Sequence, residues 1–123
     1  MITHPIKIFC IGGLAIALVA FTPLLHNLTG TWVSIGPNHS KVLLEFKPDG
    51  NFKVTVDSAL ENQGRFTFKN DTFRMYDQNC GTTVEGKYKI DFYTPDSAGF
   101  RLINDPCKDR SGEIDGGRIK RVK

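Results

Sequence analysis

From residue 28 onward, apolar and polar side chains alternate with a period of two, and this alternation constrains the fold more than any other feature. The period places every second side chain on the same face of a β-strand, whereas a helix needs apolar residues three and four apart. In NFKVTVD (51–57), for example, Phe52, Val54 and Val56 share one face and the polar residues share the other. The sequence therefore predicts a domain made of strands.

Eight such runs follow one another, and short turn signals separate most of them. The predicted strands are 30–35, 41–47, 51–57, 64–69, 72–77, 84–93, 99–104 and 118–122. Hairpin signals are PDGN (48–51), in which Gly50 tolerates positive φ, and the two-residue turn Asn70-Asp71. SALENQ (58–63) is predicted to be a polar connection. Short connections favour antiparallel pairing of neighbours, and eight strands paired in this way close on themselves. We predict an all-β, eight-stranded antiparallel up-and-down barrel.

Residues 105–117 form the one long connection between predicted strands. Pro106 is suited to the start of a single helical turn, because its missing N–H is not needed there. Two roles remain open for Arg110. It could neutralise Asp105 and Asp109, or it could be the charged residue that a ligand meets at the mouth of the barrel.

The N-terminal segment differs in kind from the rest of the chain. Residues 8–25 contain no charge, and Lys7 is the one cation before them. A buried helix of a globular domain would show polar positions at helical spacing, and this run shows none. We therefore predict that residues 1–25 are a signal peptide or a membrane anchor, and that 26–123 form an exported domain. The domain would be periplasmic, extracellular or anchored to the membrane by this segment.

Two of the three cysteines lie in the predicted exported domain. Cys10 is inside the apolar run, which leaves Cys80 and Cys107 as an even pair. In an oxidising compartment such a pair predicts a disulfide. The bond would close a loop of about 28 residues and contribute about 3–4 kcal/mol to the stability of a small domain.

The first and last predicted strands carry residues that occur together in one protein superfamily. Gly30-Thr31-Trp32 with an Arg on the last strand resembles the calycin pattern of lipocalins. Four segments resemble small lipocalin-like proteins of bacterial envelopes: LTGTW, LEFKPDGNFKV, GKYKI and LINDPCKDR. The resemblance implies that Trp32 closes one end of the barrel with Arg121, or secondarily Arg118, lying across its indole. Such stacking contributes about 0.5–2 kcal/mol.

The inward positions of the predicted barrel are mostly aromatic. Candidate ligand-binding residues of the interior are Phe46, Phe52, Phe66, Phe68, Phe73, Met75, Tyr88, Phe92 and Phe100, and Leu102 is also predicted to point inward. An eight-stranded barrel is either filled by side chains or holds one small ligand. Strands this short favour filling, with a small apolar pocket at the open end as a second expectation.

The sequence offers little for catalysis or metal binding. Only His39 lies well inside the domain, so neither a histidine-based triad nor a multi-histidine metal site can be built. The acids of 105–117 do not follow the order of an EF-hand loop, and Cys107 has no nearby base. Basic and acidic residues are mixed along the domain, which argues against a nucleic-acid footprint. We predict no catalytic residues, no metal, no cofactor and no nucleic-acid partner.

These observations lead to two functional hypotheses. The first is a monomeric, exported, non-enzymatic binding module for a small hydrophobic ligand, with a membrane contact through the N-terminal segment. The alternative is a filled β-barrel that acts as a protein-interaction or inhibitor domain at the cell envelope. An interior void would favour the first, and a contiguous exposed apolar patch would favour the second.

Overall fold

The computed structural model describes residues 26–123, which form eight strands, one 3-10 turn and one α-helix. The elements are β1 (Gly30–Ile35), the 3-10 turn (Pro37–His39), β2 (Lys41–Phe46), β3 (Asn51–Val56), β4 (Ala59–Lys69), β5 (Thr72–Asp77), β6 (Gly81–Thr94), β7 (Ser97–Asn104), α1 (Lys108–Ile114) and β8 (Arg118–Arg121). Each strand pairs with the next and β8 pairs with β1, which closes the barrel. The predicted eight-stranded meander barrel is confirmed. The predicted signal peptide or anchor, residues 1–25, lies outside the described residues.

Within the described part of the chain, no helix is both long enough and apolar enough to cross a membrane. The single α-helix there, α1, has seven residues and lies in the long connection between β7 and β8. It begins at Lys108, two residues after Pro106, with Cys107 at its N-cap position. The helical turn predicted for this connection is therefore present.

The two ends of the barrel are closed by different segments. At the end where β1 starts, residues 26–29 run across the turns that join β2 to β3 and β6 to β7; we call this the Trp32 end. At the opposite end, α1 packs against β7 and carries Arg110 inward; we call this the Arg110 end. The chain therefore places its own segments at both mouths of the barrel, and a recess of about 320 Å³ remains at the Trp32 end beside residues 26–29.

The interior between these ends is packed with apolar side chains. The buried core consists of Leu28, Trp32, Phe46, Phe52, Phe73, Met75, Tyr88, Ile90, Ala98, Phe100 and Ile119. Phe46 and Phe66 have ring centroids 5.1 Å apart, and Phe73 and Phe100 have theirs 5.7 Å apart. Rings at these distances are in direct contact.

The predicted polar connection at 58–63 is wrong, because β4 begins at Ala59 and runs for 11 residues. A two-residue turn at Asp57 and Ser58, both with positive φ, joins β3 directly to β4. The first residues of β4 are largely exposed, so no inward apolar series marks them as a strand. They are held by cross-strand pairing with β3 instead, with a bulge at Val54 and Thr55.

Leu102, also predicted to point inward, is not buried. Phe100 is buried as expected, but Leu102 is 41% exposed. Leu102 pairs in register with the buried Tyr88, so it keeps the face that the alternation predicts. Its exposure goes with its place at the end of β7, where residues 101–104 are all exposed. Period-two patterning gives the face of a side chain but not how far the core extends along a strand.

Candidate functional site

All nine predicted interior residues lie in the barrel core or pack against it. Phe46, Phe52, Phe73, Met75, Tyr88 and Phe100 are buried, and Phe66, Phe68 and Phe92 are partly buried. Their rings form two groups of contacts. Phe92 contacts Phe68 and Trp32 at one end. The rings of Phe46, Phe52, Phe66, Phe73, Phe100 and Tyr88 form the second, larger group. The side chains expected to surround a ligand instead surround one another, so the space predicted for a ligand is largely occupied by protein.

Trp32 and Arg121 lie together at the end of the barrel where residues 26–29 cross. The Arg121 guanidinium is 4.3 Å from the Trp32 ring centroid, and the indole Nε1 donates a 2.8 Å hydrogen bond to the Leu28 carbonyl. Arg121 also donates to the carbonyl oxygens of Thr29 and Asn27, at 2.7 and 2.6 Å. One side chain therefore stacks on the indole and holds the N-terminal crossing segment. Arg118, the second choice from the sequence, lies elsewhere.

The Trp32 end also explains the glycine of the Gly-x-Trp motif. Gly30 has φ +130°, and a Cβ at this position would come 2.8 Å from Nη1 of Arg121. The absent side chain leaves room for the guanidinium to cross β1. The three residues Gly30, Trp32 and Arg121 thus work as one packing unit.

The Arg110 end holds a buried ion cluster that the sequence only hinted at. Arg110 donates to both carboxylate oxygens of Asp105, from Nε at 2.7 Å and from Nη2 at 2.8 Å. Nη2 also donates to the Val84 carbonyl at 2.9 Å, and Tyr88 Oη donates to Asp105. The Arg110 side chain is only 4% exposed. Arg110 therefore neutralises Asp105, which is one of the two roles predicted for it. Asp109 does not take part in the ion cluster.

Asp77 is the second carboxylate of the cluster. Its Oδ2 lies 3.3 Å from Arg110 Nη1, close enough for charge attraction. Nη1 nevertheless has no hydrogen-bond partner. Every other buried side-chain nitrogen or oxygen of residues 26–123 has one. Asn62 donates to the same carboxylate at 2.9 Å. Two buried acids thus share one buried base, which makes charge pairing here a requirement of the fold.

The ion cluster and the disulfide are joined through the backbone. Cys80 and Cys107 are bonded, as predicted, with S–S 2.01 Å. The Cys80 N–H donates to Asp77 Oδ1 at 2.8 Å, and the Cys107 N–H donates to Asp105 Oδ1 at 2.9 Å. Each carboxylate of the cluster therefore positions one half of the disulfide, and Arg110 lies between the two carboxylates.

Ionisation of the cluster follows from these contacts. Burial disfavours the charged form of Asp105, but hydrogen bonds from Arg110, Tyr88 and the Cys107 N–H outweigh it and hold its pKa below the usual 3.8. Burial and the neighbouring Asp105 carboxylate together raise the pKa of the Tyr88 hydroxyl well above its ordinary value. Asp105 is therefore ionised and Tyr88 is neutral at physiological pH, as a structural ion pair requires.

The outer surface has a concave, largely apolar site, which we call the seam groove. It lies beside the junction of β1 and β8, has a volume of about 500 Å³, and is lined by Val33, Ser34, Ile35, Tyr93, Ser97, Ala98, Arg118, Ile119 and Lys120. Ile35 is 68% exposed and Tyr93 is 56% exposed. Arg118 lies over the Tyr93 ring, 5.1 Å from its centroid. The ring itself occupies the space that a side chain at Gly99 would fill.

Sequence reasoning missed the seam groove, although one signal was present. In TWVSI the residues Trp32 and Val33 are both apolar, so β1 has apolar side chains on both faces. A strand with one solvated face would have a polar residue at the second position. The groove itself depends on how β1 and β8 meet, which the sequence does not contain.

Among the described residues, no group of three or more His, Cys, Asp or Glu side chains is arranged to hold a metal ion. His39, in the 3-10 turn, is exposed. Glu85 is held on the outside of the barrel by Arg74 and Tyr76, and Asp91 by Arg101. These carboxylates are bound in surface ion pairs and are not brought to a common cleft.

Comparison with known proteins gives a likeness of fold. No family model matches the chain, and no curated protein matches it. Among solved structures, the crystal structure of Tp0751 (pallilysin) from Treponema pallidum is similar, with a TM-score of 0.52 and 17% sequence identity. The match covers 91% of this chain and 98% of that chain. The chain is therefore an eight-stranded antiparallel barrel with the same general fold as Tp0751.

Proposed function

We propose that this chain is an exported, lipocalin-like barrel without enzymatic activity that acts by binding a protein at its outer surface. The observation that carries the proposal is the filled interior: Phe46, Phe66, Phe73 and Phe100 contact one another where a ligand would lie. Segments of the chain lie at both mouths, and Arg110 is committed to Asp105 and Asp77. The lipocalin-like assignment is supported by the Trp32–Arg121 stack, and export is supported by the disulfide, which is typical of oxidising compartments.

The outer surface offers what an interaction domain needs. The seam groove exposes Ile35 and Tyr93 beside the cations Arg118 and Lys120, a combination of apolar anchors with a charged margin. Aromatic and arginine side chains are enriched at protein interfaces, where they supply contact area and directional hydrogen bonds. A small interior ligand, the first hypothesis from the sequence, has less geometric support because its predicted contacts are satisfied within the core.

The first experiment asks whether the interior takes up a ligand. We expect benzene and palmitate to leave the melting temperature and Trp32 fluorescence of the full-length chain unchanged. Phe73→Ala should open an apolar cavity, and benzene should then raise the melting temperature of that variant. Phe73→Leu is a milder variant for use if Phe73→Ala does not fold. Saturable stabilisation of the unaltered chain by palmitate would overturn the proposal.

The second experiment asks whether the outer surface meets a partner. A photoreactive phenylalanine derivative is placed at position 35 in the seam groove or at position 53 on the exposed outer side of β3. Irradiation of intact envelopes should give a discrete protein adduct from position 35 and none from position 53. Equal labelling from both positions would indicate random collision and would contradict the proposal.

A further inference from the structure

The seam between β1 and β8 has the shortest register of the closed barrel, with pairing at Trp32–Arg121 and Val33–Lys120 alone. β1 extends to Ile35, but its register with β8 ends at the pair Val33–Lys120. Continued pairing would match Ile35 with Arg118, yet Arg118 is registered only with Gly99 of β7. The two strands therefore separate toward the Arg110 end, and the seam groove lies where they part.

The separation leaves backbone groups directed toward the groove. The Gly36 N–H donates to the Ser40 carbonyl, so residue 36 bonds toward β2. In an antiparallel strand successive residues direct their peptide groups to opposite sides. The peptide N–H and C=O of Ile35 consequently point toward β8, where the register has already ended. This short stretch has the character of a sheet edge within an otherwise closed barrel.

The charges around the groove are of one sign. Its lining includes Arg118 and Lys120 and no carboxylate. Neither cation takes part in an ion pair with any side chain of the described residues. The Arg118 guanidinium instead lies over the Tyr93 ring, 5.1 Å from its centroid, at the margin of the groove. A partner that enters here would meet positive charge, apolar side chains and a strand edge together.

We infer that the seam groove binds an extended acidic peptide segment of a partner protein, which lies along β1 as an added strand. Peptide addition to a sheet edge takes its affinity from backbone hydrogen bonds and its specificity from alternate side chains. Apolar side chains on one face of the segment would contact Val33, Ile35 and Tyr93. Its carboxylates would pair with Arg118 and Lys120. The inference rests on the proposed function and adds to it the class of partner.

The test uses a fluorescein-labelled ten-residue peptide that alternates Asp with Val and Tyr, and the full-length chain in nonionic detergent. We expect saturable anisotropy, and about tenfold weaker binding when Asn replaces every Asp, because the charge pairing is lost. The Arg118→Glu/Lys120→Glu variant should weaken binding by about tenfold or more. The matched control Lys53→Glu/Lys69→Glu changes net charge equally at exposed positions of β3 and β4, and should bind as the unaltered chain does.

Two further probes test how the peptide lies. N-methylation of alternate residues should abolish binding if the peptide forms backbone hydrogen bonds, and a photoreactive group on the peptide should label β1 or β8. Unchanged binding of the N-methylated peptide, or equal loss in both charge-reversed variants, would overturn the inference. A preference for lipid would overturn it too. In that case the peptide would fail to bind, the unaltered chain would bind phosphatidylglycerol vesicles, and the Arg118→Glu/Lys120→Glu variant would not. Labelling elsewhere on the outer surface would overturn the seam assignment and leave the proposed function standing. Uptake of palmitate into the interior would instead count against the proposed function itself.

Discussion

Gly86 lies directly beneath Arg110: a Cβ at residue 86 would be 3.0 Å from the Arg110 Nε and 2.7 Å from Asp105 Oδ2. The same relationship occurs at the other end of the barrel, where Gly30 makes room for Arg121. Each end therefore combines a Gly-x-aromatic strand with a guanidinium, namely Gly30 and Trp32 with Arg121, and Gly86 and Tyr88 with Arg110. The glycines of both motifs are explained by space for an arginine.

Replacing Gly86 by alanine should destabilise the fold. The added methyl group would overlap the buried pair Arg110–Asp105, whose side chains have no open space to move into, and overpacking of this kind costs about 1–3 kcal/mol. The measurement is the urea unfolding midpoint of Gly86→Ala. The control is Gly112→Ala, because a Cβ at residue 112 in α1 would meet nothing within 4 Å. That change should stabilise by about 0.5–1 kcal/mol through helix propensity, and an equal loss in both variants would contradict the packing argument.

Asp105 should make stability depend on pH in the acid range. Its pKa in the folded state lies below its usual 3.8, so the ionised form stabilises the fold at pH values above 3.8. This contribution is lost as pH falls through the lower, folded-state pKa. The slope of unfolding free energy against pH below about 3.8 should therefore be shallower in Asp105→Asn than in the unaltered chain.

The same variant should also be less stable at neutral pH. Asp105→Asn leaves the buried Arg110 with Asp77 as its one remaining carboxylate, and breaking a buried pair costs about 3–5 kcal/mol. Asp109→Asn is the control, since Asp109 is exposed and takes no part in the cluster. If Asp109→Asn reduced the slope of unfolding free energy against pH as much as Asp105→Asn does, the buried cluster would not be the source of the pH dependence.

Removing the disulfide should cost stability without dissolving the barrel. The bond joins residues 27 apart in sequence, and closing such a loop contributes about 3–4 kcal/mol in the chain-entropy model. We expect the Cys80→Ser/Cys107→Ser variant to unfold at lower urea with the native far-ultraviolet circular dichroism spectrum retained beforehand. Asp77 and Asp105 should still organise the two loops through their remaining hydrogen bonds. Complete loss of strand signal in native buffer would show that the ion cluster cannot form without the bond.

Arg121 should matter far more than Arg118, although both stack on an aromatic ring. Arg121→Ala removes the stack on Trp32 and the hydrogen bonds to Thr29 and Asn27, and should destabilise by about 2–4 kcal/mol. It should also change the emission of Trp32, the single tryptophan. Arg118→Ala removes only an exposed contact with Tyr93 and should stay within about 0.5 kcal/mol. Arg121→Lys should recover little, because an ammonium group cannot reproduce the planar fork.

Alternation and turn chemistry in the sequence determined most of the fold. Phe46, Phe52 and Phe73 were assigned inward because period-two patterning decides which face of a strand is buried, and short turns such as Asn70-Asp71 favoured pairing of neighbours. The cysteine pair was likewise predictable, since only two of the cysteines lie in the predicted exported domain. Alternation and turn signals are local in sequence, and the number of cysteines can be counted directly from it.

The tertiary structure alone decided what lies between distant elements. Arg110 meets Asp77 from 33 positions earlier in the chain, and Ile35 meets the seam only because β8 returns beside β1. The exposure of Leu102 depends on how far the core extends along β7, and the strand at Ala59 depends on its partner rather than on its own side chains. Hydrogen bonds, ion pairs and packing act through space. Local patterning therefore sets the strands, whereas their closure sets the ion cluster, the filled interior and the groove.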